Sequence, residues 1–288
     1  METKSGFSDI KHEEGIIKTA KAKPFVKWVG GKRGIIKHLL ARIPKKIGNY
    51  YEPFVGGGAL FYEISNYVEY SRYLSDLNVD LIVSYQVIKT KPLELIEALK
   101  IHKDNHSKDY YYKIRNFQEI EDPIQNTARF MYLLATCFNG LYRVNKDNKF
   151  NTPIGDYINP NILDTNNIHA THIFLQNADI KYQDFSKINP SRGDFVYFDP
   201  PYHPTEDTSF TKYVSGGFTE KEQEKLRDFA LSLINKGINI MISNSDTAFI
   251  NDIYKKHFRI ERIEAPRVVN CKSNKRKPIT ELLITSGY

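Results

Sequence analysis

Hydrophobic positions change their period along this chain, and the changes divide it. Phe195-Val196-Tyr197-Phe198 is an unbroken apolar run of strand length, which predicts a buried central strand. Asp199-Pro200-Pro201-Tyr202 follows at once. A proline has no ladder N–H and a fixed φ, so the chain must leave the sheet there. Ile180 to Phe185, Ile238 to Ser243 and Glu281 to Thr285 have the same strand character. Ser71 to Leu77 predicts a short strand ending at Asp76-Leu77-Asn78. Tyr50 and Tyr51 lead through Glu52-Pro53-Phe54-Val55 into Gly56-Gly57-Gly58, a strand, a glycine turn and then a helix. Helical spacing covers Ile35 to Ile43 (stopped by Pro44), Thr219 to Lys236 behind an N-cap, and Asn244 to His257. Alternating strands and helices predict an α/β fold, whose open sheets bind ligands outside the carboxyl ends of the strands.

From Asp80 to about Ala170 the alternation fades. Leu81 to Ile88, Leu93 to His102, Tyr110 to Phe117 and Ala128 to Thr136 predict helices. Phe138 to Asn145, a turn over Lys146 to Lys149, and Phe150 to Pro153 predict a hairpin carrying amides, an arginine and aromatics. Such groups suit base edges and stacking, although a plain surface hairpin has the same pattern. His102 and His106 are four apart on a predicted helix, but no third ligand accompanies them and no metal is expected. His203 to Gly217 is a polar loop, a candidate lid. Residues 24–80 and 171–288 thus form one predicted domain and 81–170 an insertion, behind a mobile tail over 1–23.

The 288 residues, 13% aromatic and 26% charged, have a globular composition. No apolar run has membrane-spanning length, and Met1 to Lys23 lacks the apolar core of a signal peptide, so a cytoplasmic protein without membrane association is expected. Cys137 and Cys271 are expected as separate thiols. Nine bases and two acids between Lys255 and Lys277 carry the whole net charge of +7. The run suits a polyanion or a solvated basic face.

The chemistry gathers at the proline corner. The Asp199 carboxylate and the Pro200 carbonyl can accept from one NH₂ group, and Tyr202 can stack on a flat ring beside it. That arrangement suits a reaction on a nucleobase amino group; a simple strand end with Tyr202 in the core is the alternative. Gly30-Gly31-Lys32-Arg33 can bind an anion, but no Gly-x-x-x-x-Gly-Lys-Ser/Thr occurs, which excludes a P-loop. Asp76 lies 20 residues after Gly56, the spacing at which a carboxylate grips ribose hydroxyls. An ordinary helix cap at Asp76 or Asn78 would look the same. Phe61 stands where a dinucleotide motif has its third glycine, which disfavours a nicotinamide oxidoreductase.

Taken in order, these pieces resemble the Dam-type DNA adenine methyltransferases, in particular the restriction-modification members that recognise GATC. The resemblance runs from Pro24 through nearly the whole chain. It is carried by Lys27-Trp28-Val29-Gly30-Gly31-Lys32, Glu52 to Gly58, Asp76, Asn139-Gly140-Leu141-Tyr142-Arg143-Val144-Asn145 and Asp199 to Tyr202, with Asn244 and Glu281-Leu282-Leu283. It implies a Rossmann-like S-adenosylmethionine-dependent methyltransferase sheet with an inserted, mainly helical target-recognition domain over 81–170 that carries the hairpin. It implies S-adenosylmethionine as cofactor, held by Trp28, Gly30, Gly31, Lys32, Phe54, Gly56, Asp76, Asp184, Phe185 and Asp199. Asp199, Pro200, Pro201 and Tyr202 would be catalytic. Lys27, Arg115, Phe138, Asn139, Leu141, Arg143, Asn145 and Pro153 would touch double-stranded DNA, with Lys27 and Arg143 on guanines and Phe138 as a wedge in the stack. The protein would act as a monomer or dimer. Many relatives carry an arginine where this chain has Asp156, a departure at a phosphate contact. Action on cytosine N4 or RNA, and a non-catalytic DNA-binding regulator, are the remaining alternatives. Asp rather than Ser before Pro-Pro favours adenine, and the intact glycine turn with Asp76 and Asp199 favours catalysis.

Overall fold

The computed structural model describes residues 21–117, 120–205, 218–265 and 279–288. A seven-stranded sheet holds β1 (Tyr50–Glu52), β2 (Arg72–Asp76), β3 (Ala178–Tyr182), β4 (Phe195–Phe198), β5 (Asn239–Ser245), β6 (Arg259–Ala265) and β7 (Ile279–Ser286) in the order β3-β2-β1-β4-β5-β7-β6. The first five strands are parallel, and β7 runs antiparallel between β5 and β6. From β1 the chain winds outward one way to β2 and β3, and from β4 the other way to β5. The strand order therefore reverses between β1 and β4, and a crevice opens outside their carboxyl ends. Glu52 and Phe198 end those two strands, so the glycine turn and the proline corner both emerge at the crevice.

Strand alternation builds the core on both faces. Phe195 and Tyr197 of β4 join one buried apolar cluster, and Val196 and Phe198 join the other. Helices α1 (Ile36–Leu40), α2 (Phe61–Ile64) and α7 (Thr165–Leu175) add Leu39, Phe61 and Ile168 to the first cluster, and α8 (Glu220–Ile234) and α9 (Ala248–Tyr254) cover the second face with Leu226, Leu233, Ile250 and Tyr254. The first cluster runs from β1 and β2 into α3 (Val79–Thr90), α4 (Pro92–Asp104), α5 (Lys108–Asn116) and α6 (Pro123–Thr136) without a break. Helix α3 also ties to the sheet through Gln86 and Lys89, which donate to the carbonyls of Ile180 and Ala178. Caps fix the helix starts. Asn78, Ser107, Asp122 and Thr247 accept backbone N–H groups of α3, α5, α6 and α9, and Thr219 with Glu222 forms a capping box on α8.

Several elements differ from expectation. Lys32–Gly34 forms a 3₁₀ turn, and only Ile36–Leu40 of the helix expected to reach Ile43 is helical. An unexpected helix spans Thr165–Leu175, capped by Asp164; its Asn, His and Thr residues hide the buried stripe of Ile168, Thr171 and Leu175. The unexpected β6 is an edge strand whose charges face outward, which breaks the apolar signal and also protects the edge. Asn244 and Ser245 belong to β5 rather than to the following helix, because both are buried and bonded there. The expected hairpin closes at a turn where Asn145 N–H donates to the Lys149 carbonyl, but the backbone pairing of its arms is confined to isolated bridges of Cys137 with Ile154 and Val144 with Phe150. Of the stretch expected as a tail, Ala22 is buried and Lys23 pairs with Asp164 and Asn167. Residues 1–20, most of the candidate lid, Cys271 and the basic run beyond Ala265 lie outside the described residues. Cys137 is a buried free thiol, and His102 and His106 bond the Tyr110 and Tyr132 hydroxyls. No described helix is long and apolar enough to cross a membrane.

Candidate active site

The prolines turn Asp199 off the end of β4 into a shared pocket of polar groups. The Lys32 side chain is only 7% exposed, and its Nζ lies 2.8 Å from Asp199 Oδ1. Ser243, on the neighbouring strand β5, donates its hydroxyl to the same oxygen at 2.9 Å. The Ser243 hydroxyl in turn accepts from Tyr197 at 2.7 Å. Both contacts grip Oδ1, so Oδ2 is the oxygen left for an incoming donor. The Lys32 ammonium also lies 4.7 Å from the centre of the Tyr202 ring, and Tyr202 donates to Glu281 Oε2 on β7 at 2.8 Å.

The corner is braced from below. Gln223 of α8 is fully buried and donates to the Pro201 carbonyl at 2.9 Å. Its other amide atom accepts from Asn244 at 3.0 Å, and Asn244 accepts from the His203 N–H at 3.0 Å. Each link satisfies a buried polar group, so none can be cut without stranding its partner.

The carboxyls here are held more basic than usual. Burial raises Asp199 above the ordinary carboxylate value, against the pull of Lys32 and Ser243. Burial pushes Glu52, at the end of β1, up to about 8, against its bond from Tyr50 and with repulsion from Asp199 adding to the shift. Glu281 is likewise raised by burial, and Lys32 opposes the shift. Glu52 thus keeps its proton near neutral pH, and the two remaining carboxylates, Asp199 and Glu281, around one ammonium leave a surplus of negative potential for a cationic ligand.

Beside the corner, Gly56 at φ +47° lets the backbone pass against Trp28; a Cβ there would lie 2.7 Å from the indole ring. Asp76 Oδ2 accepts from the Gly56 N–H at 3.0 Å and Oδ1 from the Asn78 N–H at 2.9 Å, which ties β2 to the glycine turn. The Leu77 N–H takes a further acceptor site, which leaves one of the carboxylate's four for a hydroxyl. Phe54 stacks on Phe185 at 5.5 Å between centroids, an apolar wall. Asp184 spends Oδ1 on Ser186. Gly31 closes a turn from Trp28, and Gly30 accepts from Lys32.

Trp28 links this pocket to the hairpin. Its ring stacks on Tyr142 at 5.6 Å and 26°. Lys27, next in sequence, lies over the Tyr157 ring at 4.6 Å and packs against Gly140. Phe138 is 42% exposed, and Asn139, exposed at φ +55°, follows it at the hairpin base. Arg143 is exposed, and Leu141 is half-buried with its carbonyl bonded to Thr152. Asn145 and Arg115 have structural work: Asn145 Oδ1 accepts two N–H groups of the turn, and Arg115 lies 4.7 Å over the Tyr112 ring. Pro153 is exposed and accepts the Phe138 N–H.

Ser243 and Gln223 were not foreseen. Ser243 lies beside Asp199 because Phe198 pairs with Ile242: the next residue on one chain leaves β4, and the next on the other is still inside β5. Gln223 sits in an amphipathic helix and had no signal.

A family model described as D12 class N6 adenine-specific DNA methyltransferase matches residues 28–269. A Type II methyltransferase, M1.LlaDCHI of Lactococcus lactis subsp. cremoris, is 41% identical over 274 residues, covering 92% of this chain and 95% of that one. The Type II methyltransferase M.MjaIII of Methanocaldococcus jannaschii is 40% identical, covering 91% and 98%. A DNA adenine methylase of Haemophilus influenzae is 34% identical, covering 93% and 94%.

Proposed function

The chain belongs to the D12 class of N6 adenine-specific DNA methyltransferases, and from that premise we propose that it transfers a methyl group from S-adenosylmethionine to a flipped adenine of double-stranded DNA within GATC. The observation that carries this reading is the Asp199 carboxylate at the strand-order reversal, gripped through Oδ1 by Lys32 and Ser243 with Oδ2 left open.

S-adenosylmethionine supplies a methyl group on a cationic sulfonium. The pocket suits such a molecule. Asp76 has an acceptor site for a ribose hydroxyl, Phe54 and Phe185 offer an apolar wall for a purine, and Gly30, Gly31 and Gly56 let the backbone come close. The surplus of carboxylates favours the sulfonium charge. Trp28, Lys32 and Asp184 border the same space.

The amino nitrogen of adenine is a poor nucleophile because its lone pair is delocalised into the ring. Asp199 Oδ2 and the Pro200 carbonyl accept its two N–H groups, return electron density to nitrogen and aim the lone pair. Tyr202, steadied by Glu281, stacks on the base, and Pro201 holds the corner rigid. As nitrogen gains the methyl group it becomes cationic, and Asp199, raised by burial, takes the proton that nitrogen sheds. The gain is positioning and electrostatics. The base must leave the duplex to reach the corner.

Residues 81–170 act as the target-recognition region. Arg143 and Lys27 contact guanines, Asn139 and Leu141 approach base edges, and Phe138 enters the stack vacated by the flipped base. Arg115, Asn145 and Pro153 shape the hairpin that presents them. Asp199→Ala should abolish methylation while leaving DNA affinity within about twofold, since a residue that contacts only the reacting group adds little to phosphate-driven affinity. Parallel loss of both, in a binding titration beside a methylation assay, would remove Asp199 from the chemistry.

A further inference from the structure

An arginine selects guanine by presenting two N–H groups in the plane of the base. Left loose in solvent, so long a side chain would have to be ordered at each encounter, and discrimination would suffer. Arg143 is exposed but held. Its Nε donates to Asn151 Oδ1 at 2.7 Å, and Nη2 donates to the Asn151 backbone carbonyl at 3.1 Å. In return the Asn151 N–H donates to the Arg143 carbonyl at 2.9 Å. One residue thus grips both the main chain and the side chain of Arg143.

Asn151 is itself fixed. Phe150 before it is buried, with its ring 5.9 Å from Tyr142. Thr152 after it is buried too, donates to the Leu141 carbonyl at 2.7 Å, and accepts from the Tyr111 hydroxyl at 2.9 Å. A guanidinium has five N–H donors in a planar fork. With Nε and one Nη2 hydrogen taken by Asn151, the free edge is the far end of the fork, spanning Nη1 and Nη2.

We propose that Asn151 is a specificity-determining positioning residue that holds the Arg143 guanidinium so that its Nη1–Nη2 edge meets the O6 and N7 acceptors of a guanine end-on. The inference rests on Arg143 as a guanine contact.

The test is the ratio of kcat/KM on a GATC duplex to that on a duplex with one G·C pair of the site replaced. Arg143→Ala should lower this ratio by about tenfold or more, as loss of a bidentate base contact does. Asn151→Ala removes the Nε bond but keeps the backbone carbonyl that Nη2 meets, so it should lower the ratio by about fivefold, the worth of one hydrogen bond, and the double variant should fall no further than Arg143→Ala, because Asn151 acts only through Arg143. Asn151→Asp keeps the Oδ1 acceptor. It should hold the ratio near that of the unaltered protein while weakening both duplexes alike through its charge, which also separates positioning from misfolding. An unchanged ratio in Asn151→Ala, with affinity for both duplexes reduced alike, would make Asn151 a phosphate contact and overturn the proposal. Additive losses in the double variant would overturn it as well. An unchanged ratio in Arg143→Ala would remove the guanine contact, and the positioning role with it.

Discussion

At the scale of single residues the site is a contest between burial and pairing. In the proposed mechanism Asp199 must be ionised to accept the adenine amino group, yet burial holds it above the ordinary carboxylate value and only Lys32 and Ser243 oppose that. kcat should therefore fall with acid at a pH above the ordinary aspartate value of about 3.9. Lys32→Ala removes the nearest cation and should move that inflection to still higher pH. A kcat–pH profile for the two proteins checks both points, and an inflection that stays in place would detach Lys32 from the carboxylate. Glu52 is the more extreme case, at about 8. An unfolded chain would release that proton near pH 4.5, so the folded protein holds more protons between the two values. Stability from this group is complete below the lower pH and declines as pH rises toward the upper one. Glu52→Gln should remove the decline and stabilise the protein by a few kcal/mol at pH 9 relative to pH 5, read from urea midpoints at both. A variant with the same pH slope as the parent would show that Glu52 is ionised in the fold.

At the scale of elements, the corner and the hairpin are built differently, and this decided how far each was legible. Two prolines behind an apolar tetrapeptide can end a buried strand in few ways, so the position of Asp199 was readable in advance. The brace beneath it was not, because Gln223 and Ser243 are polar residues inside elements whose apolar pattern hides them. Strand β6 was masked in the same way by its outward charges, and the helix over Thr165–Leu175 by its weak helix formers. The hairpin was foreseen, but its irregular arms were not, since few ladder bonds hold it and side-chain bonds such as Asn151 to Arg143 do so instead. Gly140 at its base sits at φ +66°, and a Cβ there would lie 2.7 Å from Lys27 Cβ. Gly140→Ala should therefore cost about 1–3 kcal/mol of stability, from the left-handed backbone and the displaced lysine. Denaturant midpoints measure it, and an unshifted midpoint would mean that the hairpin base moves freely.

At the scale of the whole molecule, two halves of one reaction share a wall. The reversal between β1 and β4 opens the crevice in which the proline corner and the glycine turn meet. Trp28 stands between them and the hairpin, with one side against Gly56 and its ring stacked on Tyr142. On the proposed reading, a base selected by the hairpin would thereby be delivered beside the pocket proposed for the donor. The α/β class of the sheet was legible in the alternation of strands and helices, but its strand order was not. The stack was not, because Trp28 and Tyr142 are far apart in sequence and only the fold brings them together. The most direct test of this account is incubation with S-adenosylmethionine tritiated on its methyl group and two duplexes that differ only in GATC against GTTC, followed by nucleoside analysis. The account predicts label as N6-methyladenosine in the GATC duplex alone. Label on cytosine, or equal label in both duplexes, would contradict it.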